Sequence, residues 1–595
     1  MTASRERAPR AWRALPGMLE AAAPWLRAVV GVALAVLGLL LVTRPLSALS
    51  VLAIYTGVSC ILSGVLELLT APAVSRRVGG GLWIAVGVAI LVWFGGSIAL
   101  LPTVLAVLLV AGGLVSLAGV FRGALAERVL AGVWALVQLV FGVLALVWPE
   151  VTVVVVAALF GVRTLLFGLA LLGGTLLGSR RLRRLAARLD RRRMLLRWVA
   201  AVLLAALGAV AVWGTVSLRA GLPVLDAFYA TPAQLPAGPG ELLRAEPWPG
   251  EAPDGSSVTR ILYTTTDAQG EPAVASGIVV VPDAGDGPFP VVAWNHGTTG
   301  IARNCAPSLM TDMFQIQGIP GIDQAIAAGW VVVATDYSGQ GAEGDFPYLI
   351  GEGEGRSSLD AVRAAHRLDE LSLSNETAIW GHSQGGHATL WTSAIAADYA
   401  PELDIVGTAA VSPAASPLGL AKQLESAGVS GIYAVLASWV LVPYAAEYPD
   451  VNIADYVAPA GRGLVREFAA RCGQAGDILP SVLAALALDD DQPLYASNFT
   501  EGALGDRLAE NETLGPFASP LFVAWGSDDE VISPELQHEY VAELCDAGLA
   551  FEYHEYPGFT HMSVLDDDSP LPDALVAWTA ARFAGEPATV DSCGA

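Results

Sequence analysis

The hydrophobic pattern divides the chain into two parts that meet near residue 221. In the first part, the apolar runs are close to or above the length of about 18 residues that indicates a membrane-spanning helix. We predict seven spans from these runs, over 24–43, 46–71, 80–95, 98–120, 129–148, 151–174 and 197–217. Residues 1–221 are therefore predicted to form an α-helical membrane bundle of about seven spans.

The second part alternates strand-like and helical runs, which is typical of a mostly parallel α/β sheet. The eight predicted strands read VTRILYTTT, AVASGIVVV, PVVAWNH, WVVVATD, TAIWGH, DIVGTAAVS, PLFVAWG and AFEYHEY. We predict a linker and domain start over 222–257, and core segments over 258–411 and 519–595. Residues 412–518 interrupt the alternation with helix formers and are predicted to be a helical cap over the carboxyl ends of the strands, where α/β active sites lie.

Charge separates the same two parts. Residues 1–221 hold 21 Arg and 6 acidic residues, whereas residues 222–595 hold 12 basic and 51 acidic residues, for a net charge of −39. So acidic a domain is not expected to bind nucleic acid through bulk charge.

The arginines of the first part predict its orientation. They cluster before the first span, between the second and third, between the fourth and fifth, and in SRRLRRLAARLDRRRMLLR before the seventh, whereas the other loops carry little more than Arg44. Because arginine-rich loops stay in the cytoplasm, we expect a cytoplasmic N-terminus. An odd number of spans then makes residues 222–595 extracytoplasmic, held at the cell membrane by a multi-pass bundle.

A spacing of small residues repeats within the bundle. Gly38, Pro45, Gly57 and Gly64 recur as Gly142, Pro149, Gly161 and Gly168. This repeat predicts three helical hairpins that pack through small residues, followed by a seventh span. With this pattern, residues 1–175 resemble the HdeD-like acid-resistance membrane proteins.

The pentapeptide GHSQG places Ser383 between a predicted strand and a predicted helix. This is the setting of a nucleophile elbow, whose sharp turn favours Gly381 and Gly385. A serine nucleophile needs a histidine base and an acid that orients it. The chain supplies Asp529 after PLFVAWG and His561 after AFEYHEY, in the order expected of an α/β-hydrolase, with Asp528 as the alternative acid.

The tetrahedral oxyanion of such a reaction needs two backbone N–H donors. We expect one from Gln384, directly after the nucleophile, and one from the NHGTTG loop. Thr298 is the candidate in that loop and Thr299 the alternative. No cofactor is implied, and the histidines and cysteines show no zinc spacing.

Four of the five cysteines fall in the part predicted to lie outside the cytoplasm. An oxidising compartment favours two disulfides, for which three pairings exist. We favour Cys305 with Cys472, which would join the oxyanion loop to the cap, and Cys545 with Cys593, which would fix the tail.

The soluble part resembles the secretory lipases of the α/β-hydrolase superfamily, the lipase A-like group with a helical cap. The resemblance covers about residues 226–593 and rests on NHGTTGIARNCAPS, DYSGQGAEG, GHSQGGHA, GSDDEV and GFTHMS. It implies ester hydrolysis by Ser383, Asp529 and His561, a lipid or other ester as substrate, and both cysteine pairings. The membrane part is a departure from the secreted members.

We therefore expect a membrane-anchored serine hydrolase of lipase or carboxylesterase type, in contact with the bilayer. One alternative is a peptidase or an acyltransferase on the same triad. Another is a membrane protein of stress resistance, in which the bundle is the functional part and the hydrolase an accessory.

Overall fold

The computed structural model describes residues 23–70, 74–121, 125–176, 193–219, 223–316, 318–427, 431–473, 475–488, 491, 493–495, 498–588 and 593. The membrane part of this chain consists of helices, four of which have proline in the first turn, where its fixed φ suits the helix and its missing N–H is not needed. These helices are α1 (Pro24–Thr43), α2 (Pro45–Thr70), α3 (Val74–Val92), α4 (Phe94–Ala99), α5 (Leu101–Ala118), α6 (Leu125–Val147), α7 (Pro149–Leu176) and α8 (Arg193–Arg219).

Six stretches of these helices are long and apolar enough to cross a membrane. The third predicted span, 80–95, corresponds to a shorter apolar helical stretch over residues 77–92. The count of seven spans, and the odd parity that depends on it, therefore stays a prediction. Many of the arginines used for the orientation lie outside the described residues: Arg5, Arg7, Arg10, Arg13, Arg122 and those of residues 179–192.

The predicted hairpins join spans one and two, three and four, and five and six, and the membrane helices pair in a different way. The main packing partners are α1 with α7, α2 with α3, and α5 with α6. Glycines of the repeat make these contacts: a Cβ on Gly38 would lie 2.2 Å from Leu165 N in α7, and one on Gly64 would lie 2.4 Å from Gly80 O in α3. Small residues do allow close packing, as expected. The glycine-containing faces of these helices, however, pack against other helices than the predicted ones.

A nine-stranded mixed sheet forms the centre of the second part of the chain, in the order β1-β2-β3-β5-β4-β6-β7-β8-β9. Strands β1, β2, β3 and β5 pair antiparallel, and the remaining pairs are parallel. The strands are β1 (Leu242–Pro247), β2 (Ser256–Thr266), β3 (Pro272–Pro282), β4 (Phe289–Asn295), β5 (Val331–Ser338), β6 (Leu373–His382), β7 (Asp404–Val411), β8 (Leu521–Gly526) and β9 (Phe551–Tyr556). All eight predicted strands are present, and β1 lies within the predicted linker.

Helices cover both faces of this sheet. Alternate residues of β4 belong to different apolar clusters: Val291 and Ala293 pack on one face, Val292 and Trp294 on the other. The period of two follows from the pleat of a strand, and burial on both faces explains the continuous apolar runs. The flanking helices are α9 (Met313–Ile316), α10 (Ile322–Ala327), α11 (Gly351–Ala365), α12 (Gln384–Tyr399), α19 (Pro534–Asp546) and α20 (Leu571–Phe583).

The chain between β7 and β8 forms a helical cap. Its helices are α13 (Pro417–Ala427), α14 (Ile432–Glu447), α15 (Ile453–Tyr456), α16 (Arg462–Ala469), α17 (Ala475–Leu486) and α18 (Gly502–Glu510). A single apolar cluster includes Leu46 and Leu49 of α2 together with Trp439, Leu441 and Phe468 of the cap. The cap is therefore packed against the membrane bundle as well as against the sheet.

The cap contacts one end of the bundle. Arg471 donates to Glu150 at the start of α7 over 2.7 Å, and Asp491 accepts from Ser47 N at the start of α2 over 2.9 Å. A Cβ on Gly476 would lie 2.4 Å from Leu218 O at the end of α8, and one on Gly95 of α4 would lie 2.8 Å from Pro459 O. These contacts lie at the arginine-poor loops of the sequence.

Candidate active site

Ser383 occupies the turn between β6 and α12, with φ 59° and ψ −120°. This region is seldom occupied by residues other than glycine and costs about 1–3 kcal/mol, so the surroundings must enforce it. Close packing does so: a Cβ on Gly385 would lie 1.9 Å from Asn295 O, and one on Gly381 would lie 2.1 Å from Gly385 O. The turn therefore requires glycine at both positions, which suits the expected nucleophile elbow.

Asp529 and His561 meet at the carboxyl end of the sheet. His561 Nδ1 lies 2.8 Å from Asp529 Oδ2 and 3.0 Å from Oδ1. Asp529 Oδ1 also accepts from the backbone N–H groups of Val531 and Ile532, each over 2.9 Å. The alternative acid, Asp528, is exposed and its side chain contacts Ser527 instead. The structure thus brings Asp529, and not Asp528, to the histidine.

The charge of Asp529 is stabilised despite its position. Burial alone would raise the pKa of this carboxyl, but the hydrogen bond to His561 and the two backbone donors hold it below its ordinary value. An ionised Asp529 fixes the Nδ1–H tautomer of His561, which leaves Nε2 free to act as a base. Nε2 is the atom that the proposed chemistry requires.

His382 and His387 flank the elbow and have other contacts. His382 Nε2 donates to the carbonyl of His561 over 2.9 Å, and its ring lies 4.6 Å from that of His561. Burial and the neighbouring His561 lower the pKa of His382 to about 3. His387 lies between the carboxylate of Glu354 and the carbonyl of Asn511. Both residues therefore support the elbow, and His382 also lines the cavity onto which Ser383 opens, whereas His387 does not.

Ser383 and His561 open onto one cavity of about 260 Å³ beneath the cap. Thr298 and Gln384 line it too, whereas Thr299 is buried and its carbonyl accepts from Gly473 N over 2.7 Å. The cap contributes mostly apolar side chains to the cavity, among them Leu424, Tyr433, Leu436, Trp439 and Val440. Such a lining suits an apolar group of a substrate.

Two polar residues near the expected oxyanion donors escaped the sequence analysis. Glu354 is fully buried in α11 and accepts from Gln384 Nε2 over 2.8 Å, and Tyr348 contacts the hydroxyl of Thr298 over 2.8 Å. The sequence could have indicated that Glu354 is buried, because helical spacing places it on the apolar face of α11 with Ser358 and Ala361. Tyr348 lies in a loop and had no such signal.

Two disulfides join distant parts of the hydrolase. Cys305 is bonded to Cys472, and Cys545 to Cys593. Gly300 forms a β-bridge with Cys472 beside the first disulfide, so the loop that carries Thr298 is attached to the cap. Among the residues that the structure describes, no group of three or more His, Cys, Asp or Glu side chains is placed to hold a metal ion.

Comparisons with known proteins agree with the fold of both parts. Residues 307–591 match the family model described as secretory lipase, and residues 29–86 match a short repeat of unknown function, DUF308. The solved structure of Candida antarctica lipase A superimposes with a TM-score of 0.52 at 21% identity, over 62% of this chain and 88% of that one. At that identity, the structural likeness bears on the fold alone.

Relatives by sequence include enzymes and one protein named as inactive. Lipase 6 of Candida albicans is 27% identical over 413 residues, which cover 62% of this chain and 83% of that protein. A "probable inactive lipase" of Mycobacterium tuberculosis is 26% identical, over 62% of this chain and 85% of that protein. Lipase A of Moesziomyces aphidis is 27% identical, over 62% and 84%. The chain is thus similar to secretory lipases over residues 307–591, and it carries a match to the DUF308 repeat over residues 29–86 of its apolar helical part.

Proposed function

We propose that this protein is a membrane-anchored, extracytoplasmic serine hydrolase of carboxylic esters that acts through Ser383, His561 and Asp529. One observation carries the proposal: His561, hydrogen-bonded to Asp529, and a serine in elbow conformation line the same cavity. One relative is named as inactive, so similarity to lipases cannot replace this geometry as the argument for activity.

In the proposed mechanism, Ser383 Oγ attacks the ester carbonyl while His561 Nε2 takes its proton. Asp529 stabilises the imidazolium that forms, and the backbone N–H groups of Thr298 and Gln384 stabilise the oxyanion. Collapse of the tetrahedral intermediate releases the alcohol, which receives the proton from His561. Water then attacks the acyl enzyme by the same route, releases the acid and restores Ser383.

The proposed sidedness is supported by two independent features. The sequence clusters its arginines in alternate loops, which the positive-inside rule assigns to the cytoplasm. The hydrolase packs against loops of the opposite set, at Ser47, Gly95, Glu150 and Leu218. We accordingly propose the domain division given by the sequence, with the bundle to residue 221 and the cap over 412–518.

Kinetics of the purified full-length protein in detergent test the proposed triad. We expect hydrolysis of a soluble p-nitrophenyl ester, and a loss of at least about a thousandfold in kcat for Ser383→Ala. Asp529→Asn should lower kcat by about 10⁴, because it favours the wrong histidine tautomer. Asp528→Asn is the matched control and should keep wild-type kcat. Full activity of Ser383→Ala would refute the proposal.

A further inference from the structure

Four large aliphatic side chains form an exposed stripe on the cap. Leu479, Leu483 and Leu486 of α17 are 44%, 56% and 50% exposed, and Ile432 at the start of α14 is 39% exposed. The spacing of four and three residues puts the leucines on one face of α17. A Cβ on Gly431 would lie 3.1 Å from Leu486 Cδ2, so the two helices meet there. We call Ile432, Leu479, Leu483 and Leu486 the cap stripe.

The cap stripe borders the catalytic cavity. Ile432 lines the cavity while remaining partly exposed, and Ile478, next to Leu479 in α17, lines it as well. The same two helices thus present one apolar face to the cavity and another to the outside. A path from the stripe to Ser383 would cross apolar side chains.

The cap stripe lies at the end of the membrane bundle. The start of helix α17 contacts Leu218 of α8. Asp491, five residues after α17, accepts hydrogen bonds from Ser47 at the start of α2. Its twelve residues are about 18 Å long and run between the outer ends of these membrane helices.

Trp148, between α6 and α7, is a buried side chain at this end of the bundle. The guanidinium groups of Arg219 and Arg471 lie 4.8 Å and 4.7 Å from its ring, and its indole N–H donates to Thr215. Tryptophan with flanking arginine is typical of the boundary between hydrocarbon and headgroups. Arg471 lies four residues before α17, so we expect the stripe near the depth at which acyl chains begin.

We propose that the cap stripe is buried in the leaflet nearest the hydrolase, in the same bilayer that holds α1 to α8. Long-chain acyl esters dissolved in that bilayer then reach Ser383 from the leaflet through this contact. The inference rests on the proposed function, to which it adds the source and class of the substrate. We argue for lipid as the occupant because the stripe continues the apolar surface of the membrane helices. Trp213 and Val216 of α8 are exposed, and α8 ends near Leu218, against which α17 begins.

The test compares two esters that release the same alcohol, one dissolved in the bilayer and the other in water. Full-length protein is reconstituted in phosphatidylethanolamine and phosphatidylglycerol vesicles and given 4-methylumbelliferyl palmitate in the bilayer or 4-methylumbelliferyl acetate in water. Leu479→Ser combined with Leu483→Ser should lower palmitate hydrolysis about tenfold, because apolar area is lost from the bilayer contact. Acetate hydrolysis and fluorophosphonate labelling of Ser383 should keep their wild-type rates, which also shows that the variant is folded.

Leu514→Ser provides the matched control. Leu514 is 40% exposed but lies beside Thr513, whose carbonyl accepts from Tyr540 of α19, away from the cavity. This variant should hydrolyse both esters at wild-type rates.

Several outcomes would overturn the inference. Wild-type palmitate hydrolysis by the double variant would show that the stripe does not serve the substrate, and an equal loss on both esters would show a structural role. A stripe variant that turns a crosslinked dimer into a monomer would make a second copy of the chain the occupant. If the wild type cleaves acetate but not palmitate, this inference alone fails. If it cleaves neither ester and Ser383 resists labelling, the proposed function fails and this inference with it.

Discussion

At the scale of residues, the strained turn at Ser383 depends on how closely its neighbours pack. Gly385 contacts the backbone of Asn295, where a Cβ would lie 1.9 Å from a carbonyl oxygen. Backbone atoms cannot rotate away as a flexible side chain could. The position of Ser383 Oγ is therefore tied to the end of β4, the strand that leads to the oxyanion loop.

Gly385→Ala should displace the elbow and lower kcat/KM for a soluble ester by about 100-fold, the effect expected when a reacting group moves by about 1 Å. Gly318→Ala, where a Cβ would meet open space, is the control and should leave kcat/KM unchanged. Wild-type kcat/KM in Gly385→Ala would contradict the packing argument.

His382 makes the stability of the hydrolase depend on pH. Burial, together with His561, lowers the pKa of His382 from 6.5 to about 3, so the unfolded chain binds a proton that the folded chain does not. The contribution of His382 to the free energy of unfolding is fully present above pH 6.5. It is lost as the pH falls from 6.5 toward 3, with a slope of up to about 1.4 kcal/mol per pH unit.

His382→Asn, which keeps a hydrogen-bond donor, should remove this contribution. Melting temperatures of the full-length protein in detergent, measured between about pH 7.5 and 5, should then fall less steeply for the variant than for the wild type. Parallel curves for the two proteins would show that His382 does not titrate as its burial implies.

At the scale of elements, the junction between α7 and the cap depends on a buried ion pair. Glu150 is fully buried and accepts from Arg471 over 2.7 Å, and Arg471 also lies 3.5 Å from Asp477. Asp477 in turn accepts from Cys472 N, whose side chain is bonded to Cys305. The membrane helix is thus connected to the oxyanion loop through a short series of contacts.

Arg471→Met should destabilise this junction by about 3–5 kcal/mol, because it leaves the buried carboxylates of Glu150 and Asp477 without this cationic partner. Glu150→Gln should cost less, since Arg471 retains Asp477. Arg367→Met, which removes a partly exposed pair with Glu241, should cost at most about 1 kcal/mol. Thermal unfolding of the detergent-solubilised chain checks the order, and a melting temperature of Arg471→Met equal to that of the wild type would contradict it.

Sequence periodicity predicted the strands of the buried sheet, because their apolar runs are continuous. It did not predict β1, since LLRAEP lies at an edge and is only partly buried. The order serine, acid, histidine, together with positions directly after PLFVAWG and AFEYHEY, placed Asp529 and His561 at strand ends, where the structure brings them together. Their catalytic roles stay a prediction.

The sequence did not predict which helices of the bundle pack against each other. The repeat that includes Gly38 and Gly161 indicates that backbones approach, but it does not say which ones, since all the spans are predominantly apolar. The packing of α1 on α7 brings residues more than a hundred positions apart into contact, and no local pattern encodes that distance.

At the scale of the whole molecule, the hydrolase and the bundle share one apolar cluster and several polar contacts. The bundle therefore does more than anchor the chain. It fixes the position of the cap, and with it the position of the cavity, at one end of the membrane helices. The strongly acidic soluble part and the arginine-rich loops carry opposite charges and are expected on opposite sides of the membrane.

Labelling of intact cells with a membrane-impermeant fluorophosphonate tests the nucleophile and its side of the membrane together. We predict that the wild-type chain is labelled in intact cells, that permeabilisation adds no further label, and that Ser383→Ala is not labelled at equal expression. Labelling of the wild type only after permeabilisation would contradict the proposed orientation. Equal labelling of Ser383→Ala would contradict the assignment of the nucleophile.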